Sequence, residues 1–176
     1  ELNIEGNPTR EFLDVVLAVK PAQCTLVPDD PNQVTSDHGW DLDKNAAFLR
    51  EVCVELKAAG IRVSLFVDYD CPNIALAKEL GADRAALYTE PYAETYGTPQ
   101  NDAILAQFGQ AAMAAQAAGL GVNAGHDLNL DNLAKFIALP NILEVSIGHA
   151  LIVECLEQGM DATMRGYMSI LGENVT

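Results

Sequence analysis

The sequence predicts an α/β protein of the TIM (β/α)8 barrel class, with about six βα units carried by this chain, and three observations lead there. Short β-branched runs alternate with helical stretches along the whole of the 176 residues, the signature of βα units built on a parallel sheet. No linker or close repeat divides them, and the length suits one domain, so residues 1–176 read as a single partial barrel. The strand-like runs also alternate apolar and polar residues, whereas an open parallel sheet covered by helices on both faces reads as continuous apolar runs.

Residues 2–5 read as the first strand, and a helix opens after Asn7-Pro8-Thr9 and ends at Lys20-Pro21. Residues 23–28 form the next strand. Beyond a polar loop, residues 43–59 place Phe48, Leu49, Val52, Cys53 and Leu56 in one helical stripe, closed by Gly60. Residues 61–68, IRVSLFVD, are the clearest strand, followed by a short helix over 72–80 stopped at Gly81. A strand over 84–89 leads through a loop with Pro91, Gly97 and Pro99 to an Ala-rich helix over 101–118. Strand 120–125, helix 130–139, strand 143–147 and a helical region broken at Gly159 complete the chain.

The alternation decides between a barrel and an open sheet. Leu2 and Ile4 oppose Asn3 and Glu5; Val63, Leu65 and Val67 oppose Ser64, Phe66 and Asp68. Val122 and Ala124 oppose Asn123 and Gly125, and Leu143, Val145 and Ile147 oppose Glu144, Ser146 and Gly148. Burying such polar groups beneath a second helix layer is costly. A barrel whose inward layers form a polar pocket near the strand ends accommodates them.

Composition narrows the function. With 10 Lys and Arg against 25 Asp and Glu, the net charge is −15, a field that repels nucleic-acid phosphates and anionic membranes, and the basic residues form no local patch. Cys24, Cys53, Cys71 and Cys155 lie far apart without zinc spacing and read as reduced, mostly buried thiols. The sequence carries no apolar run of roughly 18 residues and no signal-peptide pattern, which points to the cytoplasm. It opens at Glu1 without Met and enters strand-like residues at once, as expected of a piece of something longer. With no GxGxxG, Walker A, GxSxG or HExxH pattern, neither a nucleotide cofactor nor a metal is expected.

Active sites of such barrels sit at the carboxyl ends of the strands, and the candidates fall there. Glu5 ends a strand on its polar face, where burial raises a carboxyl's proton affinity and suits it to act as a base; the competing reading is a salt-bridged or helix-capping carboxylate. His126, in the Asn123-Ala-Gly-His126 turn ahead of Asp127, is placed to exchange a proton, against the alternative of a structural hydrogen-bonded imidazole. Gly148 and His149 open a short helix whose free N–H groups and dipole favour phosphate; an ordinary exposed helix start is the plainer reading. Thr35 and Ser36 either touch a ligand or shape a turn. His38, in SDHGWD, reads as a surface residue, with a lid as its competing role. Tyr88 and Glu90 close the list.

The runs CTLVPDDPNQVTSDHGWDL, GIRVSLFVD, LYTEPYAETY, VNAGHDLNLDNL and VSIGHALI together resemble the pyridoxine 5'-phosphate synthase family, the ring-closing enzymes of one vitamin B6 pathway, over essentially the whole chain. The resemblance implies a cofactor-free TIM barrel that joins 1-deoxy-D-xylulose 5-phosphate to 3-amino-2-oxopropyl phosphate, releasing phosphate and water, in a homo-oligomer acting on small phosphorylated substrates. It makes Glu5 of Asn3-Ile4-Glu5 a base, His126 a proton donor, the Asp127 backbone and Thr35 substrate contacts, and Gly148-His149 a phosphate-binding turn.

The chain departs from the family pattern twice. The first two βα units of the family, with further catalytic and phosphate-binding residues, have no counterpart, so these six units correspond to the third to eighth. Ala86 stands where relatives carry a Glu; Ala86, Tyr88 and Glu90 share one face by period two, but Glu90 lies about 13 Å further along at roughly 3.3 Å per residue. Loss of one preorganised polar group costs about 10²- to 10³-fold in rate, which predicts an impaired enzyme or a rearranged site. Two other classes compete: a noncatalytic phosphate-ligand binding or assembly subunit, and another phosphosugar enzyme of aldolase or isomerase type. The latter wants a Schiff-base Lys or a metal cluster on the polar face, and Lys20, Lys57, Lys78 and Lys135 all fall on predicted helices.

Overall fold

The computed structural model describes residues 1–30 and 32–172. Six strands run parallel in one sheet in sequential order: β1 (Asn3–Gly6), β2 (Gln23–Leu26), β3 (Arg62–Val67), β4 (Arg84–Tyr88), β5 (Gly121–Gly125) and β6 (Ile142–Ser146). Helices α1 (Arg10–Val19), α2 (Ala46–Ala58), α3 (Leu76–Glu79), α4 (Glu90–Thr95), α5 (Asn101–Ala117), α6 (Leu133–Phe136), α7 (His149–Gln158) and α8 (Met160–Ile170) fill the connections.

The sheet curls strongly. In a flat sheet β2 and β6 would stand about 19 Å apart, four spacings of roughly 4.8 Å. Yet Gln23 Nε2 on β2 donates to Glu144 Oε1 on β6 at 2.9 Å. Two side chains cannot bridge the flat distance, so the strands wrap around a lumen as a partial barrel.

Period two then sorts the side chains. Cys24, Leu26, Val63, Leu65, Val67, Ala85, Leu87, Val122 and Ala124 face the helices and join one buried core. Tyr92, Phe108 and Phe136 pack edge to face within it, with ring centroids 5.0 Å apart for Tyr92 and Phe136 and 5.4 Å for Phe108 and Phe136. The other face turns into the lumen, where Val27, Phe66, Ala86 and Tyr88 make a small separate cluster.

Helix boundaries follow local chemistry. Thr9 caps α1, its hydroxyl accepting from Phe12 N at 3.2 Å. Thr9 therefore fills the capping role weighed for Glu5. Lys20 ends the helix in the left-handed region at φ 53°. The predicted helices over 72–80 and 130–139 shrink to the four residues of α3 and the four of α6, because Pro72 and the turn around Asn129 and Asn132 start them late. The stretch around Pro91, expected as a loop, is helix α4 with Pro91 at its first positions. This corrects the placement of Glu90: β4 ends at Tyr88, so Glu90 lies in the first turn of α4 and not on the inward face of a strand.

Outside the core, Leu2 and Leu143 at the two edge strands and Ile152, Val153 and Leu156 along α7 are exposed.

The loop between β2 and α2 is tied to the strand ends beneath it. Trp40 donates from its backbone to Phe66 O at 2.8 Å and from Nε1 to Leu26 O at 2.9 Å. Gly39 N donates to Asp68 Oδ1 at 2.9 Å. A Cβ at Gly39 would stand 2.5 Å from backbone atoms of Val67 and Asp68. Gly39→Ala is expected to cost about 1–3 kcal/mol by overpacking, read as a lower midpoint in chemical denaturation. An unchanged midpoint would contradict so close a contact.

Candidate active site

The lumen narrows to a cavity of about 40 Å³, lined by Glu5, Thr25, Phe66, Ala86, Asn123, Ala124, Gly125, His126, Glu144 and Ser146. Of the residues assigned by alternation to the polar face, Glu5, Asn123 and Ser146 open directly on it. Asn3 joins one layer below, accepting from Thr25 Oγ1 at 3.1 Å and Gln23 Nε2 at 3.3 Å. Phe66, Gly125 and Glu144 from the same face line this chamber too, whereas Ser64 and Gly148 do not and Asp68 opens on a separate pocket beside Gly39.

Glu5 projects from β1, an edge strand of this sheet, and its carboxyl stays open to solvent on that side while protein surrounds the rest. Among the described residues it makes no ion pair. Desolvation, then the negative charges of Asp29 and Glu144, push its pKa above the ordinary carboxylate value. Such a carboxyl holds a proton more readily than a surface Glu, as a general base working near neutrality requires.

His126 sits where β5 ends, in a turn whose two leading residues hold unusual backbone angles: φ is 95° at His126 and 58° at Asp127. Left-handed backbone at side-chain-bearing residues costs about 1–3 kcal/mol each and persists only where the surroundings enforce it. Thr89 Oγ1 donates to His126 O at 2.5 Å, and Asn132 Nδ2 donates to Asp127 O at 3.0 Å, which pins both peptides. The Tyr88 ring meets the imidazole edge-on, centroids 5.0 Å apart.

Thr35 Oγ1 lies 2.9 Å from His126 Nε2, Asp127 Oδ2 lies 3.3 Å from His126 Nδ1, and Asp127 Oδ1 lies 3.2 Å from His149 Nε2. Four of the residues singled out in the sequence thus form a chain, Thr35 to His126 to Asp127 to His149, around the cavity mouth. Gly148, the fifth, is the N-cap of α7 and supplies no side-chain cap, so the first N–H groups of that helix stay free. The sixth, Glu5, faces the cavity that His126 also lines. Asp29 Oδ1 is buried without a hydrogen-bond partner, and His126 Nδ1 has only the 3.3 Å charge contact with Asp127, without hydrogen-bond geometry. Unpaired buried groups at a pocket are where a ligand or water belongs.

Other predicted candidates stand apart. Ser36 donates to Asp29 Oδ2 at 2.6 Å and accepts at its carbonyl from Tyr88 OH at 3.3 Å, so it ties the loop to the rim. His38 is exposed beside Asp37. Sequence reasoning passed over Gln23, Thr25, Arg84 and Glu144. Arg84 NH1 donates to Asn123 Oδ1 at 2.9 Å and to Glu144 Oε2 at 2.8 Å. The signal was available: Arg84 shares the period-two face of Ala86 and Tyr88.

The geometry defines a class first: a curled βα sheet whose strand ends bring together a raised carboxyl, an imidazole and an uncapped helix start around one cavity. The family model described as "Pyridoxal phosphate biosynthesis protein PdxJ" matches residues 1–173, and the chain belongs to that family of biosynthetic enzymes. Relatives named pyridoxine 5'-phosphate synthase include one from Xanthomonas oryzae pv. oryzae (strain MAFF 311018), 52% identical over 97% of this chain and 70% of its own length. Another, from Albidiferax ferrireducens, is 51% identical over 98% of this chain and 71% of its own. Among solved structures, the chain resembles "Native KDPGal structure" at 15% identity with a TM-score of 0.56, covering 95% of this chain and 68% of that one. It also resembles the citrate synthase SbnG at 11% identity and a TM-score of 0.57, covering 97% and 72%. At such identities these two speak to the fold alone.

The raised pKa of Glu5 has a consequence for stability. A carboxyl that binds its proton more tightly when folded adds stability below its ordinary value of 4.5 and loses it as pH rises through the raised folded value. Glu5→Gln, neutral at every pH, is therefore expected to melt above the wild type at pH 7 and level with it below about pH 4. A variant melting lower at pH 7 would show that Glu5 is not held against its charge.

Proposed function

We propose that this chain supplies the third to eighth βα units of an eight-unit TIM barrel and works as a pyridoxine 5'-phosphate synthase. The reaction condenses 1-deoxy-D-xylulose 5-phosphate with 3-amino-2-oxopropyl phosphate and releases inorganic phosphate and water. The observation that carries this reading is that Glu5 on β1 and His126, just after β5 and so four places away in the sheet order, open on one cavity. The relatives' names and their identity across nearly the whole chain supply the reaction.

Each residue then has a task. Glu5, solvent-facing on its edge-strand side but raised by partial desolvation and neighbouring negative charge, removes protons from carbon and nitrogen as the ring closes. His126 donates a proton to departing oxygen; its Nε2, now facing Thr35, is the atom a substrate oxygen would meet. The free N–H groups at the start of α7, with His149, receive a phosphate. Asp127 offers its backbone to substrate, and its carboxylate spaces the two imidazoles. Thr35 brings the β2–α2 loop across the mouth. No cofactor enters this scheme.

The uncovered apolar residues at both sheet edges and along α7 fit two further βα units against them, the share of length that the relatives have beyond this chain. Within the family pattern, the assembled protein is a cytoplasmic homo-oligomer that handles small phosphorylated molecules. Ala86 leaves the lumen without the family's carboxylate at that point, in register with Asn123 on β5 and, through it, with Glu144 on β6.

The test mixes both substrates with the full-length protein and follows pyridoxine 5'-phosphate. Product is expected, and Glu5→Gln and His126→Asn are each expected to lower kcat by about 10²- to 10⁴-fold. Calorimetric binding of the two sugar phosphates with no product from a folded wild type would replace this reading with that of a noncatalytic binding subunit.

A further inference from the structure

The floor of the cavity is closed by charges that the proposed chemistry does not use. Glu144 projects from β6 into the lumen with both carboxylate oxygens engaged: Oε1 accepts from Gln23 Nε2 at 2.9 Å and Oε2 from Arg84 NH1 at 2.8 Å. Arg84 is well covered, its side chain 16% exposed against 29% for Glu144, and it also donates to Asn123. Arg62 Nε donates to Gln23 Oε1 at 2.9 Å from the other side. Five strands, β2 to β6, are thereby joined across the lumen, directly below the point where Glu5 opens on the cavity.

An ion pair placed there is not needed for packing, since apolar residues of equal volume are commonly as stable or more so. Its position suggests another task. Glu144 lines the same cavity as Glu5, whereas Arg84 reaches it from below and is bound to Glu144.

We propose that the Arg84–Glu144 pair is a positioning device for the active-site base: Glu144 keeps negative charge beside Glu5, and Arg84 limits how much of that charge Glu5 feels. Neither residue touches the reacting atoms. The inference deepens the proposed function in that it takes Glu5 as the base. Glu144 is the group on β6 that raises Glu5, after desolvation and Asp29. The other titratable groups on the elements around Glu5 are Asp29 after β2, His126 after β5, Arg84 on β4, Cys24 on the core side of β2 and, on β3 at the level of Gln23, Arg62; nearer the cavity β3 presents Ser64 and Phe66. Neutralising Glu144 leaves Arg84 unopposed, so two effects act in one direction. Neutralising Arg84 leaves Glu144 unopposed, and the effect reverses.

The experiment titrates Glu5 itself, by the ¹³C resonance of its carboxyl in the full-length, glutamate-labelled protein, assigned by its loss in Glu5→Gln. Glu144→Gln is expected to lower the Glu5 midpoint by about one pH unit. Arg84→Gln is expected to raise it, and Arg84→Lys, which keeps the charge, to leave it near the wild type. The acidic limb of the kcat/KM profile should move with the resonance in each variant. A merely structural pair would weaken the fold in both neutral variants without moving the midpoint in opposite senses. Movement in the same sense, or none in Glu144→Gln, overturns the proposal. Should Glu144→Gln fail to fold, the contrast between Arg84→Gln and Arg84→Lys decides it, and equal midpoints overturn it. Opposite shifts of the resonance with an unmoved kcat/KM profile would uphold the pair's influence on Glu5 and remove Glu5 as the base.

Discussion

The molecule depends on one constraint: a parallel strand that carries polar residues on one face must give those residues partners away from bulk water. Here the partners come from across the lumen. Gln23, Arg62, Arg84, Asn123 and Glu144 satisfy one another, so most of the inward face of the sheet stays polar and paired, with Ser64 Oγ the exception on β3. Because Gln23 and Glu144 reach each other from strands four places apart in the sheet, the network also records its curvature. The outward face is free to be wholly apolar and to bind the helices.

Upon that base the strand ends are assembled from loops. Trp40 and Gly39 fasten the β2–α2 connection to the ends of β2 and β3, which brings Thr35 over His126. Thr89, from the β4–α4 connection, and Asn132, at the far end of the turn's own β5–α6 connection, clamp the His126–Asp127 turn, and His149 reaches it from the β6–α7 connection. The mouth of the cavity therefore draws on four loops, while its floor draws on strands.

Much of this was legible in the sequence, and the limits of legibility have physical causes. The six strands and the long helices α1, α2 and α5 show in period-two and period-3.6 patterns, because each buries one face. The short helices α3 and α6 were drawn too long and α4 was missed, since a single turn of helix has no period to detect and Pro91 at a first turn looks like a loop residue. Glu5 and His126 are legible as cavity-lining positions because each stands at the carboxyl end of a strand, on or just beyond its polar face. Glu144 was set on the polar face and then passed over, because its partners Gln23 and Arg84 are 121 and 60 residues away. Closure of the lumen pairs them, and closure is a property of the whole sheet. The contact between Thr35 and His126 was hidden for the same reason, with 91 residues between them.

The turn at His126 and Asp127 carries a lesson for anyone wishing to harden this protein. Both residues sit at backbone angles that glycine would adopt freely. Relaxing the second of them by glycine would ease the chain and at the same stroke delete the carboxylate standing between two imidazoles. Backbone ease and the carboxylate that joins the two imidazoles are opposed within a single dipeptide, so selection for heat tolerance alone would be drawn toward the change that severs that link.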